Sequence, residues 1–414
     1  MNSSSTSLTA YQVRLLVVLS LINFVNFADR QVIVPLLPIL REYLHVTDAQ
    51  LGSLQTSLLV VLAIASVPFG FFADRISRTR IIAGGVAFWS LATIVGGLAP
   101  SFAMLLVARA LVGVGEAAYA PAAQSLISGA FPRERRAWGQ AIFAAGMLLG
   151  GASGLALGGL MGQIHGWRYA FFLVGLLGLI PGLSVLKLQE PPRVPRIEVV
   201  PFRQLLSVPA YLAMILAGVF ITFSSMSLLT WGIDFAVSYK EFSLREAALY
   251  LAAIALFSLL LGVLTGGYVA DRLQKRFAYG RIIAIAAAFL LAAPFVLLAI
   301  QSDEKWVVLT GLFIAEFFMS WYHGPVTAVI HDMMPQRAHA TSIGVYMFVT
   351  QLVGAFGPQL VGKISDLRDL QVGLQVAVGV MVCGALLLFL VIYFIRRDGL
   401  HHPHLDAFRA EHDD

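Results

Sequence analysis

The stretch GFFADRISRTR (70–80) closes an apolar run that begins near residue 48, and its core returns as GYVADR (267–272) at the end of another such run. Gly70, Ala73, Asp74 and Arg75 recur as Gly267, Ala270, Asp271 and Arg272, all offset by 197 residues. A second set, Pro132, Gly151, Gly154 and Gly159, recurs as Pro335, Gly354, Gly357 and Gly362, offset by 203. Glycine is common, 37 of 414 residues, so some glycine matches are chance. An Asp-Arg pair at the same loop of both halves is a stronger mark of an internal repeat.

The runs around these loops read as membrane spans. The chain is 58% hydrophobic and only 12% charged, with a mean hydropathy of +0.82. Soluble domains carry about 25% charged residues, so soluble enzymes and nucleic-acid-binding domains are excluded. A spanning helix needs about 20 apolar residues. Twelve stretches qualify: 13–41, 48–73, 80–99, 101–130, 136–164, 167–188, 208–239, 244–271, 281–300, 305–332, 337–365 and 370–396. The alternating strands of a closed barrel are not visible. The segment MNSSSTSLTAYQVR is too polar and too short to read as a cleaved signal.

The expected fold is an all-α membrane protein, twelve transmembrane helices in two pseudo-symmetric six-helix bundles. The divisions are a tail at 1–12, a bundle at 13–188, a Pro-rich basic linker at 189–207, a bundle at 208–397 and a tail at 398–414. Nineteen Lys and Arg fall on the side of both tails and seven on the other, with Arg30 and Arg109 inside spans. Both termini are therefore expected in the cytoplasm. The net charge of +5 reads as topology rather than affinity for phosphate backbones. The single Cys383 excludes an intramolecular disulfide.

Six-span parallel repeats that move against each other around a midplane site are the design of an alternating-access transporter. GFFADRISRTR resembles the loop signature of the major facilitator superfamily, with Ser77 where that pattern usually has Gly. RALVGVGEA (109–117) is similar to its fourth-helix motif. NFADRQVI (26–33), AFWSLAT (87–93), RALVGVGEAAY (109–119) and QEPPR (189–193) resemble the spinster-like branch. The carboxyl half carries weaker marks, GPVTAVIHDMMPQRAHA (324–340) and GPQLVGKISD (357–366). The resemblance implies the major facilitator fold, a bacterial inner (plasma) membrane, and lysophospholipids or sphingoid lipids as substrates.

Ionisable groups at bilayer depth are costly and functional by default. Asp29 lies about 24 Å, and Glu116 about 21 Å, above the cytoplasmic ends of their spans by helical rise. Arg109 is two turns before Glu116 on the same face. Asp29 and Glu116 are expected as proton-coupling carboxylates, with Arg30 and Arg109 beside them, a use the spinster resemblance also implies. A purely structural ion-pair cluster is the competing reading. Arg30, Arg109, Tyr119, Glu316, Tyr322 and His323 are expected to bind substrate. Phe223, Met226, Trp231, Phe317, Met319 and Trp321 are candidates for an apolar lining. Asp234 and Lys240 read as solvated at the periplasmic rim.

Gating is expected at Gly70, Asp74, Arg75, Arg78, Asp271 and Arg272. The same resemblance places the eleventh span beside Asp74, which would cap its start as Asp271 would that of the fifth, where a helix dipole favours negative charge. The Gly-rich fifth span offers small faces for close packing. His401, His402 and His404 read as a solvated tail. No Walker, Ser-His-Asp, HExxH or paired-Cys constellation occurs, so no enzyme, cofactor or metal is expected. The expected activity is proton-coupled secondary transport of an amphipathic lipid, by a monomer among membrane lipids. Sodium coupling, symport of small organic anions such as sugar acids, and a transporter-fold sensor or scaffold are the alternatives. The partners are thus a small-molecule or lipid substrate and protons, not nucleic acid.

Overall fold

In lipid, an apolar run satisfies its own backbone only as a helix. The computed structural model is helical throughout its described residues, 8–73, 75–190 and 202–398. The helices are α1 Ala10–Val32, α2 Leu37–Leu44, α3 Asp48–Ala73, α4 Arg78–Gly97, α5 Phe102–Ala117, α6 Tyr119–Ala130, α7 Arg133–Ile164 and α8 Trp167–Ser184. They continue as α9 Phe202–Leu206, α10 Pro209–Tyr239, α11 Leu244–Gln274, α12 Gly280–Gln301, α13 Lys305–Met319 and α14 His323–Met333. The last are α15 His339–Gly354, α16 Gly357–Leu367 and α17 Leu370–Asp398.

Among the described residues, eleven helical runs are long and apolar enough to cross a membrane. Their limits lie within a few residues of the expected spans. The twelfth, expected at 305–332, is not one helix: a 3-10 turn at Ser320–Tyr322 separates α13 from α14. The cause is Pro325, third residue of α14, whose missing N–H leaves Trp321 without an i→i+4 partner. The repeat-related fourth span breaks the same way, at Ala118, three residues before Pro121.

Two compact units are present. The first comprises Met1–Val46, Ser53–Pro195 and Ser243–Ala252. Its organising contact is α1 on α7. A Cβ at Gly146, Gly150, Gly154 or Gly158 would collide with the carbonyls of Ser20, Phe24, Ala28 and Val32 respectively. Both series step by four, so glycines of one helix admit the backbone of the other along a single stripe.

The second unit comprises Thr47–Gly52, Arg196–Phe242 and Ala253–Asp414. There Asp366 accepts hydrogen bonds from the N–H groups of Asp48 (2.7 Å) and Ala49 (3.0 Å), which open α3. Ser365 Oγ donates to Asp48 Oδ2 at 2.5 Å. Many large apolar side chains lie on the outside, Ile180 at 74% and Leu264 at 66% exposure among them. On membrane-spanning helices such residues face lipid.

Candidate functional site

The glycine stripe fixes the rotation of α1. Ala28 faces α7, so Asp29 and Arg30 turn away by about 100° per residue. α5 is fixed by two further glycines. A Cβ at Gly113 would strike the Leu58 carbonyl of α3, and one at Gly115 would meet the Gly85 carbonyl and Trp89 of α4, both at 2.8 Å. With those faces occupied, Arg109 and Glu116 reach α1.

The four charges pair across the two helices. Arg30 Nε meets Glu116 Oε2 at 2.7 Å, and Arg109 Nη1 meets Asp29 Oδ1 at 3.3 Å. Neither α5 residue pairs with the other. The two pairs differ in access. Arg109 and Asp29 are buried to 1% or less, as is Glu116, whereas the Arg30 side chain is 19% exposed and lies 4.6 Å from the Phe27 ring centroid. Arg109 also donates to the Asp29 carbonyl at 3.3 Å. Its Nε and Nη2, and Glu116 Oε1, have no hydrogen-bond partner among the described residues. Asp29 Oδ2 accepts from Thr93 Oγ1 of α4 at 2.5 Å. Thr93 lay in the stretch 87–93, but the sequence offered no signal of this contact.

Several expected roles are corrected. Arg109, expected to meet the substrate, is buried against Asp29 in this conformation. Tyr119 is 1% exposed. It donates to the Leu19 carbonyl at 2.6 Å and packs edge-on against Trp89, so it belongs to the core. Trp231 is fully buried and donates to the Pro358 carbonyl at 2.9 Å. Met319 is buried too. Asp234 and Lys240 are buried rather than solvated. Asp234 accepts from Ser238 at 3.1 Å, and Lys240 reaches Asp303 at 3.1 Å.

In the second unit Glu316 lies in the last turn of α13 and His323 opens α14, so the 3-10 turn separates two residues expected on one continuous face. Glu316 is half-buried and His323 exposed. Tyr322 hydrogen-bonds the Tyr346 hydroxyl and packs edge-on against Phe289.

At the loop ends, Asp271 lies beside Arg281. It accepts from Arg281 Nε (3.0 Å) and Nη2 (2.8 Å), while Arg281 Nη1 reaches Asp332 at 2.8 Å. Pro132, at the N-cap of α7, supplies no side-chain cap to that helix. Arg272 donates to Tyr268 at 3.4 Å. Arg75 is exposed and Arg78 buried. A Cβ at Gly70 or Gly267 would meet nothing within 4 Å. The expectations for Asp74 and for the His401–His404 tail lie outside the described residues. The loop between α3 and α4 is held instead by Glu190, which accepts from Ser77, from Thr79 Oγ1 (2.8 Å) and from Thr79 N–H (3.1 Å). Burial alone would raise the Glu190 carboxyl, but these donors outweigh it and bring it down to about 2.

An all-helical, membrane-embedded chain with buried charge pairs between its spans has the makings of a membrane transporter. The comparisons agree. The chain matches the Major Facilitator Superfamily over residues 19–358 and belongs to it, a family of transporters rather than enzymes. Within it the chain is similar to spinster proteins. It is 28% identical over 380 residues to protein spinster homolog 1 of Bos taurus, covering 84% of this chain and 72% of that one. It is 26% identical over 366 residues to an MFS-type efflux pump of Mycolicibacterium smegmatis, covering 86% and 85%. Its fold matches the crystal structure of a bacterial homologue of the human lysosomal transporter spinster, inward-facing and unoccupied. That match has a TM-score of 0.84 at 25% identity and covers 95% of this chain and 99% of that one.

Proposed function

We propose that the protein is a proton-coupled secondary active transporter that works by alternating access on an amphipathic lipid, such as a lysophospholipid or sphingoid lipid. The observation that carries the reading is the Arg30–Glu116 pair, with its arginine accessible and its carboxylate buried. An anionic head group that binds Arg30 competes for the charge that holds Glu116 ionised. Once Arg30 turns to the substrate, Glu116 stands as a buried acid without its cation, and taking up a proton becomes favourable. The buried Asp29–Arg109 pair is the second coupling element. It is the less accessible one, so it responds to the rearrangement of α1 and α5 rather than to the solute.

The lipid class is what the spinster resemblance implies, and the chemistry of Arg30 supports an anionic portion of the substrate. Both termini lie in the cytoplasm in this reading, and the membrane is a bacterial inner membrane. The test is uptake into proteoliposomes under an imposed pH gradient. The panel sets lysophospholipids and phosphorylated sphingoid lipids against sugar acids, with a sodium gradient as a separate arm. Accumulation of a lipid driven by the pH gradient supports the reading. Accumulation of sugar acids only, or drive by sodium only, overturns it.

A further inference from the structure

Hydroxyl groups inside helices habitually bond to the carbonyl one turn back, and several in this protein keep the habit. Ser224 bonds Phe220, Ser227 bonds Phe223, Ser320 bonds Glu316 and Thr350 bonds Tyr346, each to the carbonyl four residues earlier. Thr93, 1% exposed toward the C-terminal end of α4, departs from it. Its hydroxyl donates across to Asp29 Oδ2 at 2.5 Å. The other carboxylate oxygen is held by Arg109. Each oxygen of Asp29 therefore has one dedicated donor, from a different helix.

Resting on the proton-coupling reading of Asp29 above, we infer that Thr93 is a positioning residue for that coupling, whose hydroxyl holds Asp29 while it is ionised and releases it on protonation. A carboxylate accepts at both oxygens, whereas a carboxylic acid gives up one acceptor site to its own proton. On protonation of Asp29 at Oδ2, the Thr93 hydroxyl returns to the Trp89 carbonyl one turn back, the bond its counterparts already make. The hydroxyl thus has two partners, one for each charge state. Other charged groups near Asp29 are Arg109 and Glu116 on α5 and Arg30 on α1. α7 presents glycine to this part of α1, and the ionisable groups of α8 are Arg168 and Tyr169 in its first turn. Thr93 is the neutral donor in that set, so its removal changes no net charge.

The experiment is infrared difference spectroscopy on the purified full-length protein in lipid, titrated with pH. The carboxylic-acid C=O band that disappears in Asp29→Asn reports Asp29. Thr93→Val, which keeps the shape and removes the donor, is expected to move the midpoint of that band up by about one pH unit, a tenfold change in proton affinity. Thr93→Ser, which keeps the donor, is expected to restore the wild-type midpoint. If Thr93→Val does not fold, Thr93→Ala removes the same hydroxyl from a helix interior that favours alanine and is read identically. An Asp29 band whose midpoint is the same without the hydroxyl overturns the role of Thr93 and leaves the coupling reading intact. The absence of any titrating Asp29 band in the wild type overturns both.

Discussion

Arg30 and Glu116, one exposed in part and the other sealed, meet at 2.7 Å between Nε and Oε2 across α1 and α5. The pair joins a partly exposed group to a buried one. A purely structural link has no need of that asymmetry, because buried ion pairs can often be replaced by apolar packing at no cost in stability.

In the proposed function, the cation that a substrate meets is Arg30. Arg30→Ala is expected to weaken competition by an anionic lysolipid, such as lysophosphatidylglycerol, at least about tenfold, the value of one lost charge-assisted contact. Its effect on zwitterionic lysophosphatidylcholine is expected to be much smaller. Counterflow competition measures both. Equal losses for the two lipids would assign Arg30 a structural role.

Arg109 and Asp29 behave as a buried unit. Arg109→Leu strands a buried carboxylate and is expected to cost about 3–5 kcal/mol, whereas Asp29→Leu with Arg109→Leu together costs far less. Denaturant titration of the purified variants in detergent checks this. A double variant as unstable as the single one would show that the pair is not the coupled unit described.

Much of this was legible in the chain. Span limits follow from hydropathy, because length and apolarity alone decide what crosses a bilayer. Asp29, Arg30, Arg109 and Glu116 stood out because charges at that depth are rare. Their pairing was not read, although rise contains a clue: Arg109 and Glu116 stand about 10 Å apart along one helix, so each needs a partner from another. The breaks before Pro121 and Pro325 were also written in the sequence, and the second separates Glu316 from His323. Tyr119, Thr93 and Asp234 were illegible, because burial and hydroxyl direction depend on which helix lies opposite.

Glu190 offers a pH test at the α3–α4 loop. Its carboxyl is lowered from 4.5 to about 2 in the folded protein. The stability it contributes is complete above pH 4.5 and is lost as pH falls from there through about 2. Glu190 is partly exposed, so the effect is small. Glu190→Gln is expected to lower Tm by about 1–3 °C at pH 7. At pH 3 that difference shrinks to roughly half or less. Thermal melts at the two pH values measure it, and a difference that grows toward acid would contradict the assignment.

Glu116→Gln tests the central claim most directly. The amide imitates the protonated acid and cannot exchange a proton, while Arg30 stays in place to meet the substrate. In proteoliposomes the variant is predicted to exchange labelled lysolipid across the membrane at near wild-type rates. Under an imposed pH gradient it is predicted not to accumulate that lipid. Wild-type accumulation by Glu116→Gln would contradict the account and make the Arg30–Glu116 pair structural.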